Sequence, residues 1–194
     1  MNKTKSVKQS FDLTEKIVVI TGGAGLLGEK HAEAIAEFGG IPILLDIDKK
    51  TGDEKAQRIS KEYKVDCEFQ YCDITHESQI SGVRDFLLNK FGQIDILVNN
   101  AGTIGAPGWE ERDVPDESDW DAIYAVNLKG MAKITEAVIP TMKSNRKGKI
   151  INMSSITGRL GTVTSPPYGV SKAGVINMTR YLASYFREKN IRVN

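Results

Sequence analysis

A short apolar run followed at once by a glycine-rich turn constrains this chain more than any other stretch. Residues 17–20 are continuously apolar, which is typical of a parallel strand that is buried on both faces. Residues 21–28 are rich in glycine, and residues 29–38 then follow a helical pattern that is closed by Gly39 and Gly40. Four residues of the predicted helix are expected to face the interior: Ala32, Ile35, Ala36 and Phe38.

The spacing Gly23-x-Gly25-x-x-Gly28 within this turn is the fingerprint of a dinucleotide site. Glycines let the backbone approach a pyrophosphate closely, and the start of the following helix offers amide donors and the positive end of its dipole. Because a strand precedes the motif and a helix follows it, we favour nucleotide binding over a purely structural turn.

A carboxylate at the end of the second predicted strand indicates which dinucleotide is bound. Asp46 follows the apolar residues 41–45 and lies roughly 20 residues beyond Gly25, where a carboxylate accepts the ribose hydroxyls of NAD. The same charge would repel the 2′-phosphate of NADP, and the glycine turn holds no Arg or Lys to reverse that preference. Asp48 has the alternative role of a helix cap, and pairing in the strand is expected to begin after Pro42.

Tyr168 and Lys172 offer acid–base chemistry. Their i, i+4 spacing places them on one face of a helix, one turn apart. A free tyrosine has a pKa near ~10, and a neighbouring ammonium favours the phenolate and lowers that pKa toward the working range. Ser155, one loop earlier, can donate a hydrogen bond to the same substrate oxygen. Taken alone, a Tyr-x-x-x-Lys pair is more often an amphipathic surface with a snorkelling lysine, and the motifs upstream are what favour catalysis.

Composition and charge exclude several classes of protein. The chain has 194 residues, of which 40% are apolar, so it is long enough for one domain with a sizeable core. The formal net charge of +1 gives no electrostatic reason to expect nucleic acid or an acidic membrane surface as a partner. No apolar run is long enough for a membrane span, and the polar N-terminus does not resemble a secretory signal. We therefore expect a cytoplasmic protein with a flexible tail over residues 1–12 and one domain over residues 13–194.

The cysteines and histidines carry no predicted function. Cys67 and Cys72 flank the third predicted strand, and their spacing matches no zinc or redox motif, so we expect two free, buried thiols and no metal site. His31 and His76 are equally isolated, and no role is assigned to them.

Further motifs follow the later predicted strands in an order that is typical of one family. Asp73 and Ile74 follow the carboxyl end of the third strand, residues 99–102 read Asn-Asn-Ala-Gly directly after the fourth, and Asn127 lies within a long predicted helix. Together with the motifs above, these pieces make the chain resemble the compact subfamily of short-chain dehydrogenases/reductases over nearly its whole length.

The resemblance implies a fold and an assembly. The fold is a doubly wound α/β fold of the Rossmann type, with helices on both faces of a parallel sheet in the order 3-2-1-4-5-6. The sixth strand begins near Ile191 and is expected to be incomplete in this chain. The helices predicted over residues 119–144 and 168–189 are expected to form a homo-oligomer, a dimer or a tetramer, around a two-fold axis.

The implied activity is reversible, NAD-dependent hydride transfer between a small-molecule secondary alcohol and a ketone. Tyr168 would be the general acid/base, and Lys172 would lower its pKa and hold the nicotinamide ribose. Ser155 would orient the substrate oxygen, and Asn127 would maintain a proton relay through a water. Tyr168 and Lys172 also belong to the implied cofactor-binding set. Its other members are Gly22, Gly23, Gly25, Leu27, Gly28, Asp46, Asp73, Ile74, Asn100, Ala101 and Gly102.

Two departures from the family pattern leave alternatives open. The chain stops at Asn194, before the C-terminal substrate segment of the family, so a truncated, non-catalytic NAD-binding fragment is one alternative. Leu26 gives the glycine turn the spacing of the longer sugar-nucleotide epimerases and dehydratases of the same superfamily, which is the other. Residues 99–102 and the spacing from Ser155 to Tyr168 favour the compact subfamily.

The segment after the fourth predicted strand is the least constrained part of the chain. Residues 103–117 form a polar loop that carries Trp109 and several glycines and prolines. Such a loop above the carboxyl ends of the strands either borders the substrate or is a simple variable connection. Ser118-x-x-Asp121 then fits a capping box for the helix that follows.

Overall fold

The computed structural model describes residues 6–161 and 165–194, which fold around one parallel sheet. Its strands are β1 (Ile17–Thr21), β2 (Ile41–Asp46), β3 (Glu68–Tyr71), β4 (Ile96–Asn99), β5 (Gly148–Asn152) and β6 (Ile191–Val193). They lie in the order β3-β2-β1-β4-β5-β6, and every neighbouring pair is parallel. The predicted doubly wound sheet is therefore confirmed. The strand order reverses between β1 and β4, and ligands of such sheets bind at the carboxyl ends of the strands beside that point.

Helices connect the strands. They are α1 (Val7–Ser10), α2 (Leu26–Glu37), α3 (Lys49–Tyr63), α4 (Glu77–Phe91), α5 (Glu117–Tyr124), α6 (Met131–Ser144) and α7 (Pro166–Phe186). A π-helical segment, Ala125–Gly130, joins α5 to α6, so the long helix predicted after the loop is continuous but changes its winding. Short 3-10 turns occupy Trp109–Glu111, Ile156–Gly158 and Arg187–Lys189.

The core lies on both faces of the sheet, which explains the continuous apolar run in β1. Val18 and Ile20 contribute to a cluster with α2 and α3 on one face, and Ile17 and Val19 contribute to a larger cluster with α4, α6 and the end of α7 on the other. Because successive side chains of a strand point to opposite faces, every position of β1 is buried. The sequence pattern of a doubly covered strand is thereby accounted for.

Pro42 lies inside β2, opposite Val18 of β1, so the prediction that pairing begins after it is wrong. Successive N–H groups of a strand point to opposite sides, and the N–H of Ile41 donates to the carbonyl of Lys16 on the β1 side. The N–H that proline lacks would therefore point toward β3. Pairing with β3 starts only at Ile43, so no ladder hydrogen bond is lost.

Phe38 is exposed, although the helical pattern predicts it to face inward. The helix α2 ends at Glu37, and Phe38 is its C-cap with 39% of its surface exposed. Its ring packs instead against Phe11 from the N-terminal segment, with 6.0 Å between the ring centroids. Because the helix ends one residue before Phe38, the helical pattern does not apply to this side chain, and its predicted burial is wrong.

The capping box at the start of α5 lies two residues earlier than predicted. Asp116 and Asp119 form it, because each side chain accepts the backbone N–H of the other residue. Arg112 forms ion pairs with both carboxylates, which ties the preceding loop to this helix start. The predicted Ser118-x-x-Asp121 box has the right residue types but does not form, since Ser118 already lies within the helix.

The remaining predictions about the chain ends and cysteines have separate outcomes. Cys67 and Cys72 are free and buried as predicted, and burial raises the pKa of Cys67 to about 12 and that of Cys72 to about 11. Both thiols therefore stay protonated and unreactive near neutral pH.

Within the described ranges, the helices include none with the length and apolar character that crossing a bilayer requires. The flexible tail over residues 1–12 stays a prediction, because residues 1–5 lie outside the described residues.

Candidate functional site

The glycine turn after β1 has the geometry of an open anion site. Gly22 has a φ of +65°, and a Cβ there would lie 2.9 Å from the Cα of Ala101, so glycine is required. A Cβ on Gly28 would come within 2.1 Å of the Gly22 carbonyl oxygen, so α2 packs directly on the turn. The helix begins at Leu26. Its N-cap is Gly25, which has no side chain to accept a hydrogen bond from the first amides of the helix. The first amides of α2 therefore lack a side-chain cap and are suited to an anion.

Gly23 and Leu27 are two further predicted residues of this region. The N–H of Gly23 donates to the carbonyl of Leu45 at 3.1 Å, which links the turn to the end of β2. Leu27 lies in the first turn of α2, and its side chain is 56% exposed.

Asp46 ends β2 directly beside this turn. Its Oδ2 accepts the N–H of Ala24 at 3.0 Å, and its Oδ1 accepts the N–H of Asp48 at 3.1 Å. Asp48 caps α3 by accepting the N–H of Thr51 at 3.1 Å, which is the capping role predicted for it. The two neighbouring carboxylates therefore have different tasks, and Asp46 is the one that contacts the glycine turn.

Lys55 is a residue of this region that the sequence analysis missed. It lies on α3, and its Nζ donates to the carbonyl of Ala24 at 2.7 Å and pairs with Glu29 at 2.8 Å. Asp46 and Lys55 thus hold the N–H and the carbonyl of the same alanine. Sequence spacing alone cannot reveal this contact, because Lys55 reaches the turn only when α2 and α3 pack together.

The turn after β4 is bonded to the turn after β1. The hydroxyl of Thr21 accepts the N–H groups of Asn100 and Ala101 at 3.1 and 3.0 Å. The Asn100 side-chain amide donates to the carbonyls of Thr21 and Gly22 at 3.1 and 3.0 Å. The residues predicted at the two strand ends are therefore brought together. Thr21, which begins the glycine-rich stretch but was not among the predicted site residues, makes the connection.

Asp73 and Ile74 follow β3 at the same edge of the sheet. Burial raises the pKa of Asp73, but hydrogen bonds from the backbone N–H and hydroxyl of Thr75 outweigh it and hold that pKa below its usual range. The carboxylate also lies 3.2 Å from Nδ1 of His76. The side chain of Ile74 is buried in the core beside Gly130, so any contact with a ligand would come from its backbone.

Tyr168 and Lys172 lie one turn apart near the start of α7, as the spacing predicts. The Nζ of Lys172 is 5.6 Å from the centroid of the Tyr168 ring and donates to the carbonyl of Met153 at 2.8 Å. Lys172 is 6% exposed, and burial lowers the pKa of its ammonium. This is a buried cation beside a partly buried tyrosine, and not a lysine that extends into solvent.

Ser155 lies on the turn that follows β5, and this turn packs against α7. Its Oγ accepts the N–H of Thr157 at 3.3 Å. A Cβ on Gly158 would lie 2.7 Å from the carbonyl carbon of Lys172, so the 3-10 turn and α7 are in direct contact. The hydroxyl of Ser154 donates to the carbonyl of Lys172 at 2.9 Å. The structure therefore places the Ser155 turn against the helix of Tyr168 and Lys172.

Asn127 is buried within the π-helical segment, and its side-chain amide is fully used. Its Oδ1 accepts the N–H of Thr103 at 2.8 Å, and its Nδ2 donates to the carbonyl of Thr103 at 2.9 Å and to the hydroxyl of Ser171 at 3.0 Å. A Cβ on Gly102 would lie 3.3 Å from this Oδ1. Asn127 therefore joins the turn after β4 to the residue that precedes Lys172, and π segments are frequent at such functional positions.

A cavity of about 630 Å³ lies beside Tyr168. Residues of the loop 103–117 form one side of it, and Thr157, Ser165 and Pro166 border it near the start of α7. This favours the first of the two interpretations of the loop, that it borders a ligand site. A smaller cavity of about 210 Å³ at the opposite ends of the strands, lined in part by Lys16, contains none of the predicted site residues.

The comparisons with known proteins agree with this geometry. The family model for short chain dehydrogenases matches residues 16–194. A 3-oxoacyl-[acyl-carrier-protein] reductase from Thermotoga maritima is 37% identical, and the alignment covers 94% of this chain and 72% of the relative.

Two solved structures are also similar. An NAD⁺-bound xylitol dehydrogenase has a TM-score of 0.87 at 30% identity, with 94% of this chain and 69% of that chain covered. An NADPH-dependent 3-quinuclidinone reductase from Rhodotorula rubra has a TM-score of 0.87 at 29% identity, with 100% and 73% covered. The neighbours therefore include proteins of both nicotinamide cofactors. With its strand order, its glycine turn and its family match all in agreement, the chain belongs to the short-chain dehydrogenase family of oxidoreductases.

Proposed function

We propose that this chain is an NAD-dependent oxidoreductase that interconverts a secondary alcohol and a ketone, with Tyr168 as the general acid/base. The observation that carries the proposal is the buried Lys172 beside the Tyr168 ring, at the border of the large cavity. A cation in this position stabilises a phenolate, because an opposite charge nearby favours the ionised form. Tyr168 lines this cavity, which supports its proposed role in transferring a proton to or from a substrate there.

The residues at the strand ends fit a dinucleotide. The start of α2 carries no side-chain cap, and the close packing of Gly28 on Gly22 leaves no side chain between the turn and a bound pyrophosphate. Asp46 would accept the adenosine ribose hydroxyls, and the turn at Asn100 would border the nicotinamide side. When bound, the oxidised cofactor NAD⁺ would supply the hydride acceptor for alcohol oxidation, and the reduced cofactor NADH would supply the hydride donor for ketone reduction.

The chain's own residues would handle the proton. In alcohol oxidation, the phenolate oxygen of Tyr168 takes the hydroxyl proton of the substrate, and in ketone reduction the phenol returns a proton to the substrate oxygen. The Ser155 hydroxyl would donate a hydrogen bond to that oxygen. Lys172 would favour the phenolate and hold a ribose hydroxyl, while Asn127 would fix the helical turn before Lys172 and support the proton relay.

The direct test is oxidation of secondary alcohols by the purified chain with NAD, followed by the absorbance of the reduced cofactor. We expect turnover of at least one secondary alcohol, and the reverse reaction with its ketone. Absence of turnover in both directions with NAD and with NADP, across a chemically broad panel, would contradict the proposed function. The relatives reported above are dehydrogenases and reductases, which supports this activity over the epimerase alternative.

We predict that NAD binds at least ~10-fold more tightly than NADP, a difference of about 1.4 kcal/mol or more. The carboxylate of Asp46 would accept the ribose hydroxyls of NAD and would repel the 2′-phosphate of NADP. Calorimetry with the two oxidised cofactors measures both dissociation constants. Asp46→Asn removes the charge at nearly constant shape, so it should bring the dissociation constants for NAD and NADP closer together.

The neighbouring carboxylate provides a matched control for this prediction. Asp48→Asn removes the same charge two residues away, and asparagine can still cap α3. The ratio of the two dissociation constants should therefore change little in this variant. Equal affinities for the two cofactors in the unmodified chain would contradict the assigned role of Asp46.

We also propose a homo-oligomer formed through α5, the π segment and α7. A groove over these elements is lined by Leu128, Gly174 and Met178, with Tyr124 and Tyr181 at its sides. Both tyrosines are more than half exposed. Large aromatic surfaces that lie together in water are unfavourable and often mark a contact surface. A second copy that presents the same helices would cover this self-complementary surface around a two-fold axis.

We predict that Tyr181→Asp shifts the mass by light scattering from that of an oligomer to that of a monomer at micromolar concentration. A charge at a side of the groove that the second copy covers must be desolvated, which opposes association. Tyr71→Asp is the control, since Tyr71 is also exposed but lies on the edge strand β3 at the opposite side of the sheet. A strictly monomeric unmodified chain would show that these helix faces do not pair.

A further inference from the structure

The cavity beside Tyr168 points to a class of substrate, and this inference rests on the function proposed above. We infer that the chain acts on a bulky, uncharged secondary alcohol or ketone whose apolar body lies against Trp109. Three features of the cavity carry the inference: an apolar wall, a polar end beside Tyr168, and a cation whose charge is already neutralised.

The wall supplied by the loop is largely apolar. Ile104, Trp109, Val114 and Pro115 line it, and Pro166 adds a further apolar surface from the start of α7. The volume of about 630 Å³ lies within the roughly 300–1,000 Å³ that is usual for small-molecule sites, so a ring system can be accommodated. A polyol of the same size would place hydroxyl groups against this wall without partners, which is unfavourable.

The polar end of the cavity lies on the other side. Thr157, Ser165 and Tyr168 all border the cavity. The hydroxyls of Thr157 and Ser165 are themselves buried, so Tyr168 is the polar group proposed to meet the substrate oxygen. A tyrosine at one border of the cavity and apolar side chains on the loop suit a ligand with one oxygen function and an apolar body.

The charges at the cavity do not favour an anionic substrate. Among its lining residues in the described ranges, Arg112 is the cation, and each of its three guanidinium nitrogens already has a partner. It pairs with Asp119 at 2.6 Å and Asp116 at 3.2 Å, and donates to the carbonyl of Pro107 at 3.0 Å. Asp113 adds an exposed carboxylate at the rim. A carboxylate or phosphate on the substrate would therefore meet no unpaired cation among the described lining residues.

Trp109 is held in place by its own turn, so it can act as a fixed wall. Its backbone N–H donates to the carbonyl of Ala106 at 3.0 Å, and its backbone carbonyl accepts the N–H of Arg112 at 3.2 Å. A Cβ on Gly105 would lie 2.3 Å from the Trp109 Cβ, so the residue packs directly on the loop backbone. The buried Asp119 accepts the N–H of Ala106 at 2.8 Å, which anchors this turn to α5.

The first experiment compares secondary alcohols that differ in one property. A fused-ring alicyclic alcohol is compared with 2-butanol, with a cyclic polyol, and with an alicyclic alcohol that carries a carboxylate. We expect kcat/KM for the alicyclic alcohol to exceed that of the polyol and of the carboxylate by at least ~10-fold, because a buried ring gains the transfer free energy of its apolar surface. Equal or better turnover of the polyol or the carboxylate would overturn the inference and leave the oxidoreductase proposal intact.

The second experiment tests the wall itself. Trp109→Ala should lower kcat/KM for the alicyclic alcohol by at least ~10-fold and leave that for 2-butanol within about twofold, since the small alcohol does not reach the wall. Trp109→Phe should keep most of the kcat/KM for the alicyclic alcohol that Trp109→Ala loses, because phenylalanine still provides a flat apolar ring. Trp120→Ala is the matched control, because Trp120 lies on α5 and does not border the cavity. An unchanged alicyclic kcat/KM in Trp109→Ala would contradict the inference.

A binding readout separates this inference from the proposed activity. The chain has two tryptophans, so Trp120→Phe leaves Trp109 as the single tryptophan fluorophore. Titration with an alicyclic ketone should change its emission saturably, and a cyclic polyol at the same concentrations should not. If no alcohol is turned over but this titration saturates, the proposed activity fails and the apolar site stands. If the emission does not respond to the ketone, the inference fails whatever the turnover is.

Discussion

Replacing Tyr168 with phenylalanine is expected to lower turnover by a factor of order 10² or more, while NAD still binds. The change removes only the phenolic hydroxyl, and the ring that borders the cavity and lies 5.6 Å from the Lys172 Nζ is kept. Without the hydroxyl, the substrate oxygen has no positioned group with which to exchange its proton. Steady-state rates with a secondary alcohol and calorimetric titration with NAD measure the two effects separately.

Two companion variants sharpen this experiment. Tyr181→Phe removes the same hydroxyl from an exposed tyrosine further along α7, so it should leave the rate unchanged. Lys172→Met should lower both turnover and NAD affinity, because one ammonium is proposed to favour the phenolate and to hold the ribose. If Tyr168→Phe kept most of the activity of the unmodified chain, the assigned proton transfer would be wrong.

Gly28→Ala is expected to weaken NAD binding between roughly 10- and 100-fold. The added Cβ would stand 2.1 Å from the carbonyl oxygen of Gly22, so α2 must move away from the glycine turn. Overpacking of this kind costs about 1–3 kcal/mol, and the displaced amides at the start of α2 are those proposed to bind the pyrophosphate. Calorimetric titration gives the dissociation constant, and thermal unfolding shows whether the fold persists.

Gly82 provides the matched control for this substitution. It lies in the interior of α4, it is exposed, and a Cβ there would have no atom within 4 Å. Gly82→Ala should therefore stabilise the fold by about 0.5–1 kcal/mol and leave NAD affinity unchanged. Unchanged affinity in Gly28→Ala as well would show that the packing of α2 on the turn does not determine cofactor binding.

The parts of the site that the sequence predicts are those determined by local spacing. Tyr168 and Lys172 share a helix face because they are one turn apart, and no distant residue is needed to bring them together. The glycine turn is equally local, since strand, turn and helix follow one another along the chain. Asp46 belongs to the same class, because the end of β2 meets the carboxyl end of β1 in any sheet of this order.

The parts that could not be predicted depend on packing between distant elements. Lys55 reaches Ala24 across the interface of α2 and α3, and no pattern in α3 distinguishes it from its other lysines. The side-chain amide of Asn127 bonds to Thr103 and Ser171. From a helical pattern alone, an Asn inside a helix is expected to face solvent or to cap the helix.

The helix start at α5 shows the same limit within a short segment. Two overlapping capping boxes fit the sequence, one beginning at Asp116 and the other at Ser118. The pairing of Arg112 with Asp116 and Asp119 accompanies the box that forms, and this pairing depends on the course of the preceding loop. Residue types alone do not distinguish the two boxes.

The hydroxyl of Thr21 has a consequence for the order in which the protein matures during synthesis. It is bonded to amides that lie 79 and 80 positions later in the chain. The glycine turn therefore cannot reach its final bonded form until β4 has emerged from the ribosome and inserted beside β1. Contacts of such sequence separation are slow to form, because a long loop must close before they are made. The glycine turn is thus completed only after a segment translated much later has been added to the sheet.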